Sequence, residues 1–263
     1  MNIIETIRQR RSVRNYSPAP LTESQIEELR KIIASSSSPF GGNVTIQLDT
    51  FEATGPVKMG TYGFVSGARN YFVVASSDDD DSLLSLGYRF EEVVLGATAL
   101  SLGTCWLGAT YRSSAFERRH TWPAGESLRI VSPVGIPARK TLKERILRLS
   151  AGSDKRKPFG SLFFKDDSST PLEETDRFGL SLEMLRLAPS STNSQPWRAV
   201  ACGNKVHFYY VPRTKFALID SGIGLCHFAL SEKEQDHRGS FANDPDAPKP
   251  SGNLVYLTTW SRS

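Results

Sequence analysis

The chain has 263 residues, 39% of them hydrophobic, and a formal net charge of +4, enough apolar material for one large domain or two small ones with a real core. No run approaches the roughly 18 apolar residues that span a bilayer, and MNIIETIRQRR is charged where a secretory leader needs its apolar stretch, so a soluble, cytoplasmic protein is expected. Three cysteines set among apolar neighbours argue against a disulfide framework, and four histidines without ligand spacing argue against zinc.

In chain order, Thr22-Glu23-Ser24-Gln25 reads as a capping box, followed by Ile26, Leu29, Ile32 and Ile33 at helical spacing. The turn-rich SSSSPFGGN then leads to an alternating strand over Val44–Phe51, and Tyr71–Ala75 makes a short buried strand. The run SSDDDDS reads as a solvated loop, since it lacks the spaced ligands and glycine of a calcium loop. A strongly apolar helix is expected over Gly87–Leu102, with Gly96 and Ala97 permitting close approach and Gly103 as its C-cap. Cys105–Gly108 follows as a turn or short strand, and Leu128–Val134 as another strand.

The charged stretch Pro137–Ser169 reads as a connection. Beyond it come a helix over Asp176–Ala188, the loop PSSTNSQPW, strands Trp197–Cys202 and Val206–Val211 joined as a hairpin at Gly203-Asn204, a helix over Asp220–Glu232 and a strand over Leu254–Trp260. Both halves run helix, Ser-rich loop, strand, strand, helix, strand, an internal duplication by element order. The expected organisation is a first half over 1–150, a connection over 151–170 and a second half over 171–263.

Several chemistries are missing. There is no GxxxxGK[ST] and no GxSxG, and Gly222-Ile223-Gly224-Leu225-Cys226-His227 lacks the third glycine of a dinucleotide fingerprint. Two segments stand out. RQRRSVR at 8–14 gathers guanidinium forks and a hydroxyl suited to a phosphate dianion, with a solvated basic helix end or a nucleic-acid arm as alternatives; no aromatics are interleaved for base stacking. PSSTNSQPW at 189–197 lines up hydroxyls and amides on one loop, as a polar, planar ligand requires.

RRSVRNY at 10–16 and PSSTNSQPW at 189–197 resemble the two signatures of the nitroreductase-like FMN flavoprotein family, and LGTCWLG at 102–108 and Val134-Gly135-Ile136-Pro137 resemble two looser segments of it. In that family one subunit carries both signatures about thirty residues apart, and the flavin at a dimer interface meets one from each subunit. Here each half keeps one signature: the first reads SSSSPFGGN where the second motif belongs, and the second has no RRS. The resemblance therefore implies a fused pseudo-dimer, α+β in class, an α-β-α sandwich of two similar halves with mostly antiparallel sheets, holding one flavin.

The resemblance also implies roles. Arg10, Arg11, Ser12 and Arg14 hold the FMN phosphate and ribityl chain, Arg14 reaching toward the ring's C2 carbonyl, and Arg156 adds a phosphate contact. Pro189, Ser190, Ser191, Asn193 and Gln195 meet the flavin from the second half. Leu107 and Gly108 align with a segment whose backbone amide faces flavin N5. The implied activity is an FMN-dependent NAD(P)H oxidoreductase working by a ping-pong scheme on nitroaromatics, quinones or related acceptors, with no catalytic side chain, because the cofactor carries the chemistry. A flavin carrier or sensor without turnover is the alternative. The partners expected are a small-molecule substrate, no nucleic acid and no membrane; a monomer suffices, with a homodimer left open. Trp197 is expected in the core, and Tyr16, Tyr62 and Trp106 are assigned either to the pocket wall or to packing.

Overall fold

A computed structural model describes residues 2–51, 65–138, 155–167, 169–249 and 252–263; Tyr62 and Arg139–Arg148 lie outside them. The chain divides into two compact units. One spans Gln9–Ala151, and the other joins Asn2–Arg8 to Gly152–Ser263. The first helix, α1 (Ile3–Gln9), thus counts almost wholly with the second unit, where the Ile3 amide donates to Glu234.

In the first unit, α2 (Glu23–Ser35) starts at the expected capping box: the Gln25 amide donates to the Thr22 hydroxyl at 3.2 Å and the Thr22 amide to Gln25 Oε1 at 3.0 Å. Strands β1 (Val44–Thr50), β2 (Asn70–Ser76), β3 (Gly103–Thr104) and β4 (Ser127–Gly135) form an antiparallel sheet in the order β1-β2-β4-β3. Strand β2 is buried along its whole length. Its alternate side chains serve two faces: Phe72 packs on Phe90 of α3 (Asp80–Ala99), while Tyr71 packs on Phe116 of the short α4 (Ser114–Glu117).

Helix α3 corrects two expectations. The aspartate run is its N-terminus: the Asp79 carboxylate accepts from the Ser82 amide at 2.9 Å and hydroxyl at 2.7 Å, and Asp80 and Asp81 occupy the first turn, where the helix dipole favours negative charge. The helix stops at Ala99, with Leu100 as its cap, so Gly103 is not a C-cap. Gly103 begins β3 because Val13 lies where its Cβ would be, at 2.7 Å from Val13 Cβ. Gly96 does permit close approach, as a Cβ there would meet Ile32 of α2 at 2.8 Å.

In the second unit, β5 (Phe163–Lys165), β6 (Trp197–Cys202), β7 (Lys205–Tyr210), β8 (Gly239–Ala242) and β9 (Val255–Arg262) lie in the order β5-β6-β7-β9-β8. The hairpin turns at Gly203, whose φ of +58° suits glycine. Helices α5 (Gly179–Leu187) and α6 (Ala217–Glu234) pack together, and Phe228 of α6 meets Phe208 of β7 and Trp260 of β9. The glycines of the incomplete dinucleotide pattern lie inside α6. Gly224 lets that helix approach Leu185 and the Trp197 ring, each 3.3 Å from a notional Cβ.

The element repeat extends to topology. Four strands of each unit follow the same order, β1-β2-β4-β3 and β6-β7-β9-β8, with every neighbouring pair antiparallel. The second unit adds β5, paired parallel to β6. This strand falls in the stretch expected to be a bare connection, because Phe163 is fully buried and extends the sheet edge; residues 139–154 and 168 of that stretch lie outside the described residues.

Candidate functional site

In the first unit, the RRSVR segment runs beside β3. Ser12 bridges Thr104 in parallel register, and the Val13 amide donates to the Thr104 carbonyl at 2.8 Å. Val13 seats in the space left by Gly103, and the Tyr16 hydroxyl donates back to the Val13 carbonyl at 2.6 Å. Two of the sequence-predicted segments, RRSVR and LGTCWLG, are thereby brought together. Tyr16 is 3% exposed, so it packs in the core and is no pocket wall.

The three arginines are not equivalent. Arg10 points inward, its Nε 3.8 Å from the carboxylate of fully buried Glu91, which also accepts from the Trp106 indole at 2.8 Å. A charge buried this deeply must be paired. Arg10 therefore pairs its charge with Glu91, whose carboxylate in turn holds Trp106. By contrast, among the described residues the side chains of Arg11 and Ser12 make no hydrogen bond or ion pair, and Arg14 Nη1 is buried with no acceptor. Buried donors without acceptors are rare in folded proteins. These two arginines and the serine hydroxyl are available to an anionic ligand.

The Leu107 amide is not available. It donates to the Val131 carbonyl at 3.0 Å while the Leu107 carbonyl accepts from Val131 at 3.1 Å. In the segment aligned with the one whose backbone amide faces flavin N5, the Gly108 amide has no hydrogen-bond partner among the described residues.

In the second unit, PSSTNSQPW closes into a tight turn with a single 3-10 helical turn at Ser191–Asn193. Three residues without the freedom of glycine adopt left-handed backbone: Thr192 at φ +51°, Asn193 at +56° and Gln195 at +48°. For β-branched Thr192 this conformation is strained, and strain persists only where surroundings over-determine it.

Those surroundings are specific. The Gln195 amide nitrogen of the backbone donates to Ser190 Oγ at 2.9 Å; its side-chain oxygen accepts from the Lys157 amide at 2.8 Å, and its side-chain nitrogen donates to the Asn193 carbonyl at 3.2 Å. Asn193 Nδ2 donates to the Lys155 carbonyl at 2.8 Å, and Arg156 reaches the Leu187 carbonyl at 3.0 Å and Asn193 Oδ1 at 3.4 Å. The DKRKP segment and the loop, both expected at the site, are thus brought together. Asn193, Gln195 and Arg156 shape the loop, while among the described residues the Ser191 hydroxyl makes no hydrogen bond and the Ser190 hydroxyl keeps its proton to donate.

One residue escaped the sequence reading. Asp220, in the first turn of α6, is 3% exposed and accepts from the Ser191 amide through both oxygens, at 2.9 and 3.1 Å, and from the Ser194 hydroxyl at 3.3 Å. Burial pushes its carboxyl up to about 7, against the pull of the Ser191 and Ser194 bonds. Its signal in the sequence was an acid embedded in the otherwise apolar ALIDSGIGL. Glu91 left a similar trace in the middle of α3.

Trp197 is core, as expected, at 3% exposure. Among the described residues no group of three or more His, Cys, Asp or Glu side chains is placed to hold a metal, and no helix is long and apolar enough to cross a membrane.

Fold and site together are those of a mixed α+β protein with a basic segment in one unit and a braced polar loop in the other. Over residues 2–232 the sequence matches the family described as "Putative TM nitroreductase", and the chain belongs to that family. A Thermotoga maritima structure described as a "putative nitroreductase" matches with a TM-score of 0.65 at 19% identity, covering 100% of this chain and 93% of its own, and so shares the fold. An FMN-dependent nitroreductase from Clostridium difficile is similar over 52% of this chain and 89% of its own, with a TM-score of 0.44 and 15% identity. A Desulfitobacterium hafniense nitroreductase with bound FMN covers 54% and 92%, with a TM-score of 0.44 and 16% identity. No curated protein matches the sequence.

Proposed function

We propose that this nitroreductase-family oxidoreductase is an FMN-dependent NAD(P)H oxidoreductase, with one flavin per chain. The observation that carries the reading is a set of donors on one short segment that have no protein partner among the described residues, the partly exposed Arg11 and Ser12 and the buried Arg14 Nη1, in a chain whose family reduces its substrates. A phosphate dianion would accept from Arg11 and Ser12, and a ring carbonyl from Arg14. The fit from the second half is the strained, braced loop, with the Ser190 and Ser191 hydroxyls free to donate.

When bound, FMN supplies hydride acceptance and donation; the chain supplies binding and orientation. Arg11 and Ser12 would hold the phosphate end, and Arg14 would supply a fixed positive charge to the pyrimidine carbonyl. Arg10 acts one step removed, by pairing with Glu91 and so holding Trp106. No side chain is assigned a proton transfer. NAD(P)H and a nitroaromatic, quinone or related acceptor would bind in turn, a ping-pong order that needs no Rossmann fingerprint.

The test is direct. Purified protein is expected to be yellow, to contain one FMN per chain and to bleach anaerobically on addition of NADPH or NADH. Protein that stays colourless and takes up no added FMN overturns the reading. The loss of the Leu107 amide to Val131 favours a second reading, a flavin carrier, which predicts stoichiometric FMN with no nicotinamide oxidation across a panel of acceptors.

A further inference from the structure

The loop of the second unit borders a feature that the flavin reading leaves unused. Lys157, Arg198 and Arg213 line one small crevice together with Ser194, Gln195, Pro196, Val211 and Thr214, and no carboxylate lines it. Its space is about 10 Å³, room for one oxygen atom, with the mouth open to solvent.

The inner two cations are braced by the loop's own carbonyls. Lys157 Nζ donates to Ser194 at 2.7 Å and to Gln195 at 3.3 Å, and Arg198 donates to Trp197 at 2.6 Å and to Gln195 at 3.3 Å. The Arg213 side chain, exposed at the rim, makes no hydrogen bond or ion pair among the described residues. The Thr214 hydroxyl is buried and has no hydrogen-bond partner among the described residues. Three like charges gathered without a counter-ion repel one another. Burial, and then that repulsion, lowers the proton affinity of both Lys157 and Arg198. An arrangement of this kind costs stability when empty and is relieved by a dianion.

We propose that this crevice is a phosphate subsite for the nicotinamide co-substrate: one oxygen of the ribose 2′-phosphate enters between Lys157, Arg198 and Arg213, the Thr214 hydroxyl donates to it, and the enzyme thereby selects NADPH over NADH. The inference rests on the reductase reading for the identity of the ligand. The flavin's own phosphate is assigned to Arg11 and Ser12 of the first unit, so a separate cation cluster beside the second unit's loop calls for a second phosphate. NADPH is the substrate of the proposed reaction that carries one where NADH carries a hydroxyl.

Two measurements test it. In steady-state turnover the wild type should favour NADPH, and Arg213→Gln should lower the NADPH-to-NADH ratio of kcat/KM by about tenfold, as expected for losing one charge-assisted contact; Thr214→Val should lower it less, and Arg213→Lys should retain part of it. In isothermal titration, adenosine 2′,5′-bisphosphate should bind the protein and lose about tenfold in affinity in Arg213→Gln. Arg213 is exposed and unpaired, so its substitution leaves the fold intact, which thermal unfolding verifies.

An unchanged coenzyme ratio in Arg213→Gln overturns the proposal. So does a variant that weakens FMN but not riboflavin, which would give the crevice to the flavin's phosphate. A chain that takes up no FMN defeats the reductase reading alone; the bisphosphate titration, which needs no turnover, then still decides whether the crevice takes a phosphate.

Discussion

Residue by residue, the site separates groups that bind from groups that hold other groups in place. Asp220 belongs to the second kind and carries a pH signature. Its folded carboxyl titrates near 7, above the value of 3.8 for a free one, so between those limits the folded chain holds a proton that the unfolded chain has released. Stability from this group is therefore full at the acid end and declines as pH rises through that window. Asp220→Asn removes the dependence: the stability of the wild type relative to the variant should fall by a few kcal/mol between about pH 4 and pH 7 in urea unfolding. A difference that is flat with pH would show that the carboxyl titrates normally. Thr192 offers a second test. Asparagine tolerates left-handed backbone better than a β-branched residue, so Thr192→Asn should raise stability by about 1 kcal/mol, seen as a higher melting temperature.

At the level of elements, the capping box of α2 is local chemistry and should behave so: Thr22→Ala is expected to cost about 1 kcal/mol in denaturant unfolding. Gly103 is different, because it serves a neighbour in space. A methyl there would stand 2.7 Å from Val13 Cβ. Gly103→Ala should cost about 1–3 kcal/mol and push RRSVR away from β3, weakening FMN binding more than Thr22→Ala does; equal effects of the two variants on FMN would sink this account. The capping box, the hairpin at Gly203 and the apolar periodicities were legible in sequence because each depends on residues within a few positions of one another. The aspartate run was misread for a related reason. A string of acids suits a solvated loop and a helix N-terminus equally, and the choice fell to Ser82, whose amide and hydroxyl both bond Asp79.

For the molecule as a whole, the two units share a strand order, yet α1 counts with the second unit. Deleting residues 1–8 should therefore reduce hydrogen-exchange protection in α6 and the second sheet before it affects β1–β4. If one chain supplies both signatures, mass measurement in solution should give a monomer with one flavin, in contrast to a site that needs a second copy.

The sequence alone determined the element order, its repetition and the two signature segments, since periodicity, caps and turns are written in neighbouring residues. It could not assign the partners of those segments. That Arg10 answers a buried Glu91, that the Leu107 amide is consumed by Val131, and that Asp220 sits beneath the polar loop depend on residues 81, 24 and 29 positions apart. Pairings at such separations are set by how sheets and helices pack, and packing decides which polar groups are spent inside the protein and which are left for a ligand.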